Sequence, residues 1–526
     1  MFSDRDTGTR RLLELGIRQK LHRPLHWTHS LMICVCILSP TTCITALYGQ
    51  GLVYGGPVVL IWGWVCVGTL HTLAAFCMSE LSSAFPVSGG LYYWSFMLGG
   101  NHGPLASWMV GWINLLGQVA LVAGTTFTVV EIFTAVLFLA TRDNNNNGYS
   151  PSSKMQLYLY MGLLVINATI NSAPLKVLAR IARVGAMCQI LGTFVMVAIL
   201  LAITPKQQKW SWVLFEFRSA SSYGITSDVY TFLIGLSAAS WPLMGYDAVA
   251  HMIEETKSAD TTAGKPMPYT LLTCFAIGMV YLLALTLCIQ NVTNITDPAS
   301  SLAEVNGVAL MFWDIFEAKY GSGKGAVFLL LIPLGCGVFC GLHSITSASR
   351  MLYGFSRDRA VPYWWHWQQV DDHGVPIRAV WGIAFAVFLL GLPMLAGANA
   401  FNVSSSIATS GLCLAYALPI SFRMLLARGS FEPGPFSLGR WSIPMGVIAV
   451  VWLLFASVIF MLPLAYPITT ANLNCAPAAV GGILLLAFSA WILSARHWFS
   501  GPRTDVDNSD AVKTKYWVTD PPRKRS

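Results

Sequence analysis

The chain has 526 residues, of which 55% are hydrophobic and only 11% are charged, with a mean hydropathy of +0.58. A soluble protein carries about 25% charged residues, so this composition excludes an ordinary soluble domain. The net charge of +8 is explained by Lys and Arg gathered in the loops on one side of a membrane, and no nucleic-acid partner is expected.

The charged residues lie between apolar runs of about 20 residues, each long enough to cross a bilayer of about 30 Å. The first run follows a polar segment too long for a cleaved signal peptide, so we interpret it as a membrane span. The fold class is therefore an all-α polytopic membrane protein embedded in the lipid bilayer. We predict about 12 transmembrane helices, at 29–50, 57–79, 104–138, 156–173, 180–203, 228–251, 268–290, 324–349, 379–396, 403–422, 442–463 and 475–496.

Spans 1 and 6 are both interrupted by proline at a similar depth. The first interruption is Ser39-Pro40-Thr41-Thr42, and the second is Trp241-Pro242-Leu243-Met244-Gly245-Tyr246-Asp247. A proline inside a helix removes a backbone hydrogen bond, and in hydrocarbon the freed groups need partners in protein or in a water-filled cavity. Paired breaks of this kind indicate the binding site of a secondary transporter with an inverted repeat.

The breaks also divide the chain, because each opens a half of five spans. Repeats with an odd number of spans are inverted relative to each other, although the two halves share no evident similarity in sequence. The predicted units are a cytoplasmic N-terminal segment (1–28), a first five-helix repeat (29–203), an extracellular or lumenal loop (204–227), a second five-helix repeat (228–422), helices 11 and 12 (423–496) and a cytoplasmic C-terminal tail (497–526).

Two signals predict the orientation in the membrane. Lys and Arg concentrate in the even-numbered connections, whereas the Asn144–Asn147 tract and the glycosylation sequons at Asn291 and Asn294 lie in odd-numbered ones. Positive loops stay in the cytoplasm, and glycosylated asparagines face the outside or a lumen. Both signals place the N- and C-termini in the cytoplasm, and the sequons fit either the plasma membrane or an endomembrane.

Three motifs resemble those of a known transporter superfamily. They are SELSSAFPVSGGLYYW at 79–94, GYDAVAHMIEETK at 245–257 and SRMLYGFSRDRAVP at 349–362. Their order and spacing are similar to those of the amino acid–polyamine–organocation (APC) superfamily, and with the spans the resemblance covers nearly the whole chain. The Tyr-Tyr-Trp at 92–94 and the Asn-Leu-Leu-Gly-Gln at 114–118 most resemble the fungal and plant GABA, choline and broad amino-acid permeases.

The resemblance implies a substrate site between the unwound parts of spans 1 and 6, walled by spans 3 and 8. Exposed backbone N–H groups there suit a carboxylate, and exposed carbonyls suit an ammonium or a cation. Many family members carry Gly-x-Gly at the first break, where this chain has Pro40-Thr41-Thr42. The added bulk favours a substrate that is longer than an α-amino acid or has a different polar head group, such as GABA or choline. The candidate substrate-binding residues are Ser39, Thr41, Thr42, Cys43, Trp241, Gly245, Tyr246 and Asp247.

Individual residues at the breaks allow more than one interpretation. Trp241 aligns with an aromatic gate whose ring suits an ammonium group, and the alternative is a packing or lipid-facing tryptophan. An ionisable residue such as Asp247 costs about 2.5–3.5 kcal/mol to insert into the membrane, so its presence needs a reason. It is expected to bind a substrate ammonium, to carry a coupling proton, or to cap the second half of span 6. His251 is a second coupling candidate. Gln189 is a third candidate, because it aligns roughly with a lysine of some relatives whose ammonium takes the place of a sodium ion, although the neutral side chain here weakens the case for that coupling device.

Charged residues at the cytoplasmic span ends form a further candidate set. Glu80, Glu254 and Glu255 face a loop that carries Arg357. One hypothesis is an inner gate of ion pairs that closes in the outward-facing state. The alternative is a solvated belt of charges, in which each pair contributes little.

We interpret the chain as a secondary transporter for amino acids or related small ammonium compounds such as GABA, working by alternating access. No catalytic cluster accompanies the histidines in the spans, so no enzyme is predicted, and no cysteine spacing predicts a metal or other cofactor. No Gly-x4-Gly-Lys-Ser/Thr run supports direct ATP drive. Protons are the candidate coupling ion. Two alternatives stay open: a choline- or polyamine-type organocation transporter, and a transport-inactive nutrient sensor of the same fold.

Overall fold

The computed structural model describes residues 12, 15, 23–143, 147–296, 305–396, 400–469 and 473–503. Most of the predicted N-terminal segment, residues 144–146 of the asparagine tract and the predicted tail beyond Arg503 lie outside this part. Within it, 10 helices are long and apolar enough to cross a membrane. Helices also lie at the other two predicted spans, which are Ser153–Asn171 and the interrupted segment that starts at Asp228. The prediction of an all-helical polytopic protein is confirmed.

The helix bounds follow the apolar runs closely, because every backbone polar group in hydrocarbon must be paired within its own segment. Spans 1 and 6 each consist of two helices, and the other spans are single helices. In chain order, the helices are Trp27–Leu38 and Pro40–Val53 (span 1), Gly56–Ala84 (2), Gly103–Thr141 (3), Ser153–Asn171 (4), Leu175–Ile203 (5), Asp228–Ser240 and Ala248–His251 (6), Pro266–Cys288 (7), Gly325–Arg357 (8), Ile377–Gly391 (9), Ala400–Leu425 (10), Ser442–Ile459 (11) and Ala476–Leu493 (12).

The spans form an inner and an outer group. We compared the buried share of the most apolar 18-residue window in each span. That share is 83% in span 1, 72% in span 3 and 78% in span 10, but only 33% in span 5 and 17% in span 12. An apolar helix that is exposed in the isolated chain is covered by lipid, so spans 5 and 12 are peripheral. The interrupted span 1 is therefore shielded from lipid by protein.

Small residues let the inner spans approach closely. Gly117 of span 3 lies against Gly411 and Leu412 of span 10, and a Cβ built at Gly117 would be 2.8 Å from the Leu412 side chain. Glycine at a helix crossing permits such backbone contact in membranes. This crossing brings the side chains of spans 3 and 10 toward the break in span 6.

The N-terminal segment pairs with the end of span 6. The Leu25 amide donates to the Glu255 carbonyl at 3.1 Å, and the Lys257 amide donates to the Leu25 carbonyl at 2.8 Å. We call this side of the bundle, which also carries Arg503, the terminal side. The opposite side, which carries Asn291 and Asn294, is called the sequon side.

Candidate functional site

The break in span 6 is wide. Its first helix is followed by a 3₁₀ turn, Trp241–Leu243, and the second helix begins only at Ala248. Between them Gly245 has a φ of +96°, which favours glycine. A Cβ at Gly245 would lie 2.9 Å from Leu121 of span 3 and 3.1 Å from Ile37 of span 1. Glycine therefore permits both the turn and the close contact between spans.

The break in span 1 is confined to Ser39, which has a φ of +37°. The Ser39 hydroxyl lies 2.9 Å from Thr42 Oγ1 and 3.0 Å from Gln189 Oε1 of span 5. The Thr42 hydroxyl donates to the Pro333 carbonyl of span 8 at 2.8 Å. Thr41 Oγ1 accepts from the Gln189 amide. These hydroxyls, which we expected to face a substrate, are turned toward spans 5 and 8.

The neighbouring candidates Gln189 and Cys43 are also occupied by protein contacts. Gln189 is buried and joins span 5 to the break in span 1 through neutral hydrogen bonds alone. Cys43 is buried and contacts the Cys340 side chain of span 8. The structure thus brings all of the span 1 candidates together, but as a packed contact with spans 5 and 8.

Asp247 is fully buried, and its carboxylate is surrounded by donors from other spans. Tyr416 of span 10 donates to Oδ1 at 2.7 Å, and Gln118 of span 3 donates to Oδ2 at 2.9 Å. His251 Nε2 lies 3.2 Å from the same Oδ2. Asp247 precedes the helix Ala248–His251, yet its side chain bonds none of that helix's amides. The capping interpretation is therefore wrong.

His251 connects this carboxylate to the terminal side. Its Nε2 lies 3.2 Å from Asp247 Oδ2 and 3.3 Å from the Asn114 amide nitrogen, and its Nδ1 lies 3.4 Å from the Ser88 carbonyl oxygen. Because a carbonyl only accepts, Nδ1 carries a proton in this contact. A second proton, on Nε2 or on the carboxyl group, is needed for His251 and Asp247 to bond each other.

Two buried ion pairs follow on the terminal side. Arg357 donates to both oxygens of Glu254, at 3.1 and 3.3 Å, and Arg350 donates to Glu255 at 3.1 Å. The Ser88 amide and hydroxyl also donate to Glu254, at 3.0 and 2.7 Å. Burial raises the pKa of Glu254, but Arg357 and Ser88 outweigh it and hold that pKa below its ordinary value. These pairs are buried, so the solvated-belt interpretation does not describe them.

Glu80 lies apart from these pairs. Its carboxylate accepts from the Leu438 amide at 3.0 Å, from the Ser437 hydroxyl at 3.2 Å and from the Ser442 hydroxyl. The segment before span 11 and the first residue of that span therefore surround Glu80. The structure does not bring it to Arg357, so it is not a member of the ion-paired set.

Trp241 lies at the inner end of a cleft that opens on the sequon side. The cleft is small, with a volume of about 30 Å³. Trp241 is 3% exposed, and its ring fits against Gly124, where a Cβ would be only 2.5 Å away. Among the described residues, Trp241 Nε1 and the Tyr246 hydroxyl are buried without a hydrogen-bond partner. Residues of the cleft include Leu47, Gln50, Trp241, Asn402, Thr409 and Leu462.

The sequence interpretation missed four residues that contact this site: Asn114, Gln118, Tyr416 and Ser88. Asn114 and Gln118 are four residues apart, so they share one face of span 3 and could have been recognised as a polar stripe. Tyr416 could have been recognised because a phenol in an apolar span needs a partner. Ser88 gave no such signal, since its role depends on contacts with span 6.

The bundle, with two interrupted spans meeting buried polar groups and a one-sided cleft, defines a multi-pass membrane transporter. Residues 27–486 match the amino acid permease family, so the chain belongs to that family. It is 39% identical over 507 residues to the amino-acid permease BAT1 of Arabidopsis thaliana, covering 95% of this chain and 97% of the relative.

Two further relatives extend the comparison. The chain is 40% identical over 503 residues to the BAT1 homolog of Oryza sativa subsp. japonica, covering 95% and 96% of the two chains. It is 27% identical over 509 residues to the GABA-specific permease of Saccharomyces cerevisiae, covering 95% and 86%. The predicted family, and a transporter rather than an enzyme, are confirmed.

Proposed function

We propose that this permease carries an α-amino acid or a γ-amino acid such as GABA between the breaks of spans 1 and 6. The observation that carries the proposal is the unequal access to the breaks. A cleft from the sequon side ends at Trp241, whereas two buried ion pairs lie between the breaks and the terminal side. Access from one side at a time is the requirement of alternating access.

Backbone groups at the break in span 6 supply a site for the substrate carboxylate. Within the described chain, the N–H groups of Gly245, Tyr246 and Asp247 donate to no other group. Such groups favour an anion, and the nearby Trp241 ring favours an ammonium. Choline has no carboxylate and would leave these donors unpaired, so we rank amino acids above it.

The threonines of span 1 no longer argue against α-amino acids. We expected the side chains at the first break to exclude α-amino acids because they would face the substrate. In the structure, the hydroxyls of Thr41 and Thr42 instead contact spans 5 and 8. Both α- and γ-amino acids therefore remain suitable. The relatives support this range, since two are amino-acid permeases and one is a GABA-specific permease.

We further propose that protons drive transport through Asp247 and His251. The two side chains are fully buried with His251 Nε2 3.2 Å from Asp247 Oδ2, so a shared proton, in addition to the one on Nδ1 that faces the Ser88 carbonyl, would hold them together. Loss of the shared proton would place the Nε2 lone pair against a carboxylate. The resulting repulsion would move His251 and with it Ser88, which donates twice to Glu254. Deprotonation is thereby linked to opening of the Glu254–Arg357 pair on the terminal side.

For the orientation, we propose that the terminal side faces the cytoplasm and the sequon side faces outside or a lumen. The positive residues of the even-numbered connections and the sequons support this arrangement. The ion pairs then form the inner gate. Trp241 forms the outer one, because it separates the cleft from Asp247.

Uptake into proteoliposomes tests these proposals. Labelled GABA, choline, and neutral and cationic amino acids would each be offered with and without an inward proton gradient. We expect saturable uptake of an amino acid or GABA, stimulated by the gradient. Asp247→Asn should abolish that stimulation, and the exposed Trp441→Ala serves as the unaffected control.

Three results would contradict the proposals. Uptake of choline alone would overturn the carboxylate site. Full gradient stimulation in Asp247→Asn would overturn the role of Asp247 in proton coupling. Binding of a substrate in a thermal-shift assay without any uptake would favour the transport-inactive sensor.

A further inference from the structure

A second cavity lies on the terminal side, away from both breaks. It has a volume of about 480 Å³ and is open on one side. Its walls are the start of span 3, the loop after span 8 and the end of span 12. All three lie at or next to the ends of spans on the terminal side. The transport site described above uses none of the residues of this cavity.

Five tryptophans line the wall of the cavity. Trp108 and Trp112 come from span 3, Trp364 and Trp365 from the loop after span 8, and Trp498 from the end of span 12. Trp108 is almost fully buried, whereas Trp365 is 54% exposed. Tryptophan is enriched at the level of lipid headgroups, because its ring is apolar and its N–H is polar. This wall therefore suits the glycerol and upper acyl region of a lipid.

The charges of the cavity have one sign. Arg359 and Arg503 line it, and no Asp or Glu does so among the residues described. The Arg359 guanidinium is held 4.3 Å above the Trp364 ring, and none of the described carboxylates forms an ion pair with it. Stacking on an aromatic ring orients a guanidinium and leaves its N–H edge available for a phosphate. The neighbouring Asp358 forms no ion pair with Arg359, and its carboxylate accepts from the Tyr92 hydroxyl and from the Arg503 amide.

We propose that this cavity binds the headgroup of an anionic phospholipid, with Arg359 on the phosphate and the tryptophans against the glycerol and acyl chains. Basic pockets between membrane helices bind such headgroups, and anionic lipid is concentrated in the cytoplasmic leaflet. Arg359 is two residues from Arg357 of the ion-paired set. A bound lipid therefore contacts the segment that closes the terminal side.

Native mass spectrometry of the purified full-length protein tests this directly. The protein would be released from nanodiscs that contain phosphatidylglycerol and phosphatidylcholine in equal amounts. We expect one retained phosphatidylglycerol per protein and little phosphatidylcholine. Arg359→Gln should reduce that retention at least tenfold. Trp364→Leu, which removes the ring under the guanidinium, should also reduce it.

Arg440→Gln is the matched control, because Arg440 also lies over a tryptophan, 5.7 Å from the Trp441 ring, but outside the cavity. It should retain phosphatidylglycerol as the wild type does. Equal retention of the two lipids, or unchanged retention in both Arg359→Gln and Trp364→Leu, would overturn the proposal. The assay contains no substrate, so its outcome is independent of whether the transport proposal holds.

Discussion

Removal of the Arg357 guanidinium should open the terminal side. Glu254 is 1% exposed and Arg357 is 9% exposed, and two hydrogen bonds of 3.1 and 3.3 Å join them. Arg357→Met leaves a buried carboxylate without its counter-charge, which costs about 3–5 kcal/mol. If the pair exists only in the closed state, the opening equilibrium rises by about 100- to 4000-fold.

Hydrogen–deuterium exchange at Ser88 measures this shift. The Ser88 amide donates to Glu254 at 3.0 Å, so its protection reports whether the pair is intact. Exchange through local opening is proportional to the opening equilibrium, so the peptide that contains Ser88 should exchange faster in Arg357→Met. The double variant Glu254→Gln/Arg357→Met should exchange more slowly than Arg357→Met, because no unpaired charge is left buried.

Arg378→Gln is the control for that experiment. Arg378 is exposed and contacts only a ring nitrogen of His366 among the described side chains. An exposed charge contributes little, so its loss should leave the Ser88 peptide unchanged. Exchange in Arg357→Met that is no faster than in Arg378→Gln would refute the closed-state role of the ion pair.

Three other predictions concern stability and topology. Gly278→Ala places a Cβ 2.2 Å from the buried Trp64 ring and should lower the free energy of unfolding by about 1–3 kcal/mol in SDS titration, whereas Gly482→Ala meets nothing within 4 Å and should not. Burial raises the pKa of Asp314 from 3.8 to about 6. The ionised Asp314 carboxylate is therefore less favourable in the folded than in the unfolded chain, and it destabilises the fold fully above pH 6 and not at all below the unfolded pKa. Asp314→Asn should raise the melting temperature at pH 7.5 and have little effect at pH 3.5. Asn291 is exposed and Asn294 is partly exposed, so the double variant Asn291→Gln/Asn294→Gln should remove the mobility shift that endoglycosidase produces on a gel.

Each of these three has a contradicting result. Equal loss of stability in the two glycine variants would show that the Trp64 contact is not the cause. A pH-independent effect of Asp314→Asn would show that its ionisation is not what destabilises the fold. An unglycosylated protein from a host that glycosylates its exported proteins would contradict the proposed orientation.

Span 6 illustrates how far the sequence reaches. The proline at 242 and the glycine at 245 predicted the break, and the structure confirms it, because both residues act on their own backbone. The partners of Asp247 were not predictable from this segment. Gln118 and Tyr416 come from positions far apart in the chain, and only the packing of spans 3 and 10 brings them to one carboxylate.

Span 1 and Glu80 illustrate the opposite case. The sequence placed Ser39, Thr41 and Thr42 at a break, but it could not give the rotation of the helix that turns their hydroxyls toward spans 5 and 8. It placed Glu80 at a span end beside positive loops. The folded chain instead surrounds Glu80 with the segment before span 11 and the first residue of that span.

The sequence by itself determined the membrane class, the positions of the spans, the two breaks and the family. These follow from hydrophobicity, from the missing N–H of proline and from local motifs, all of which act within a short segment of chain. Only the tertiary structure decided which polar groups meet. The face that a helix presents to its neighbours is set by packing among many spans, and so the Asp247 cluster, the two buried ion pairs and the tryptophan-lined cavity exist only in the folded bundle.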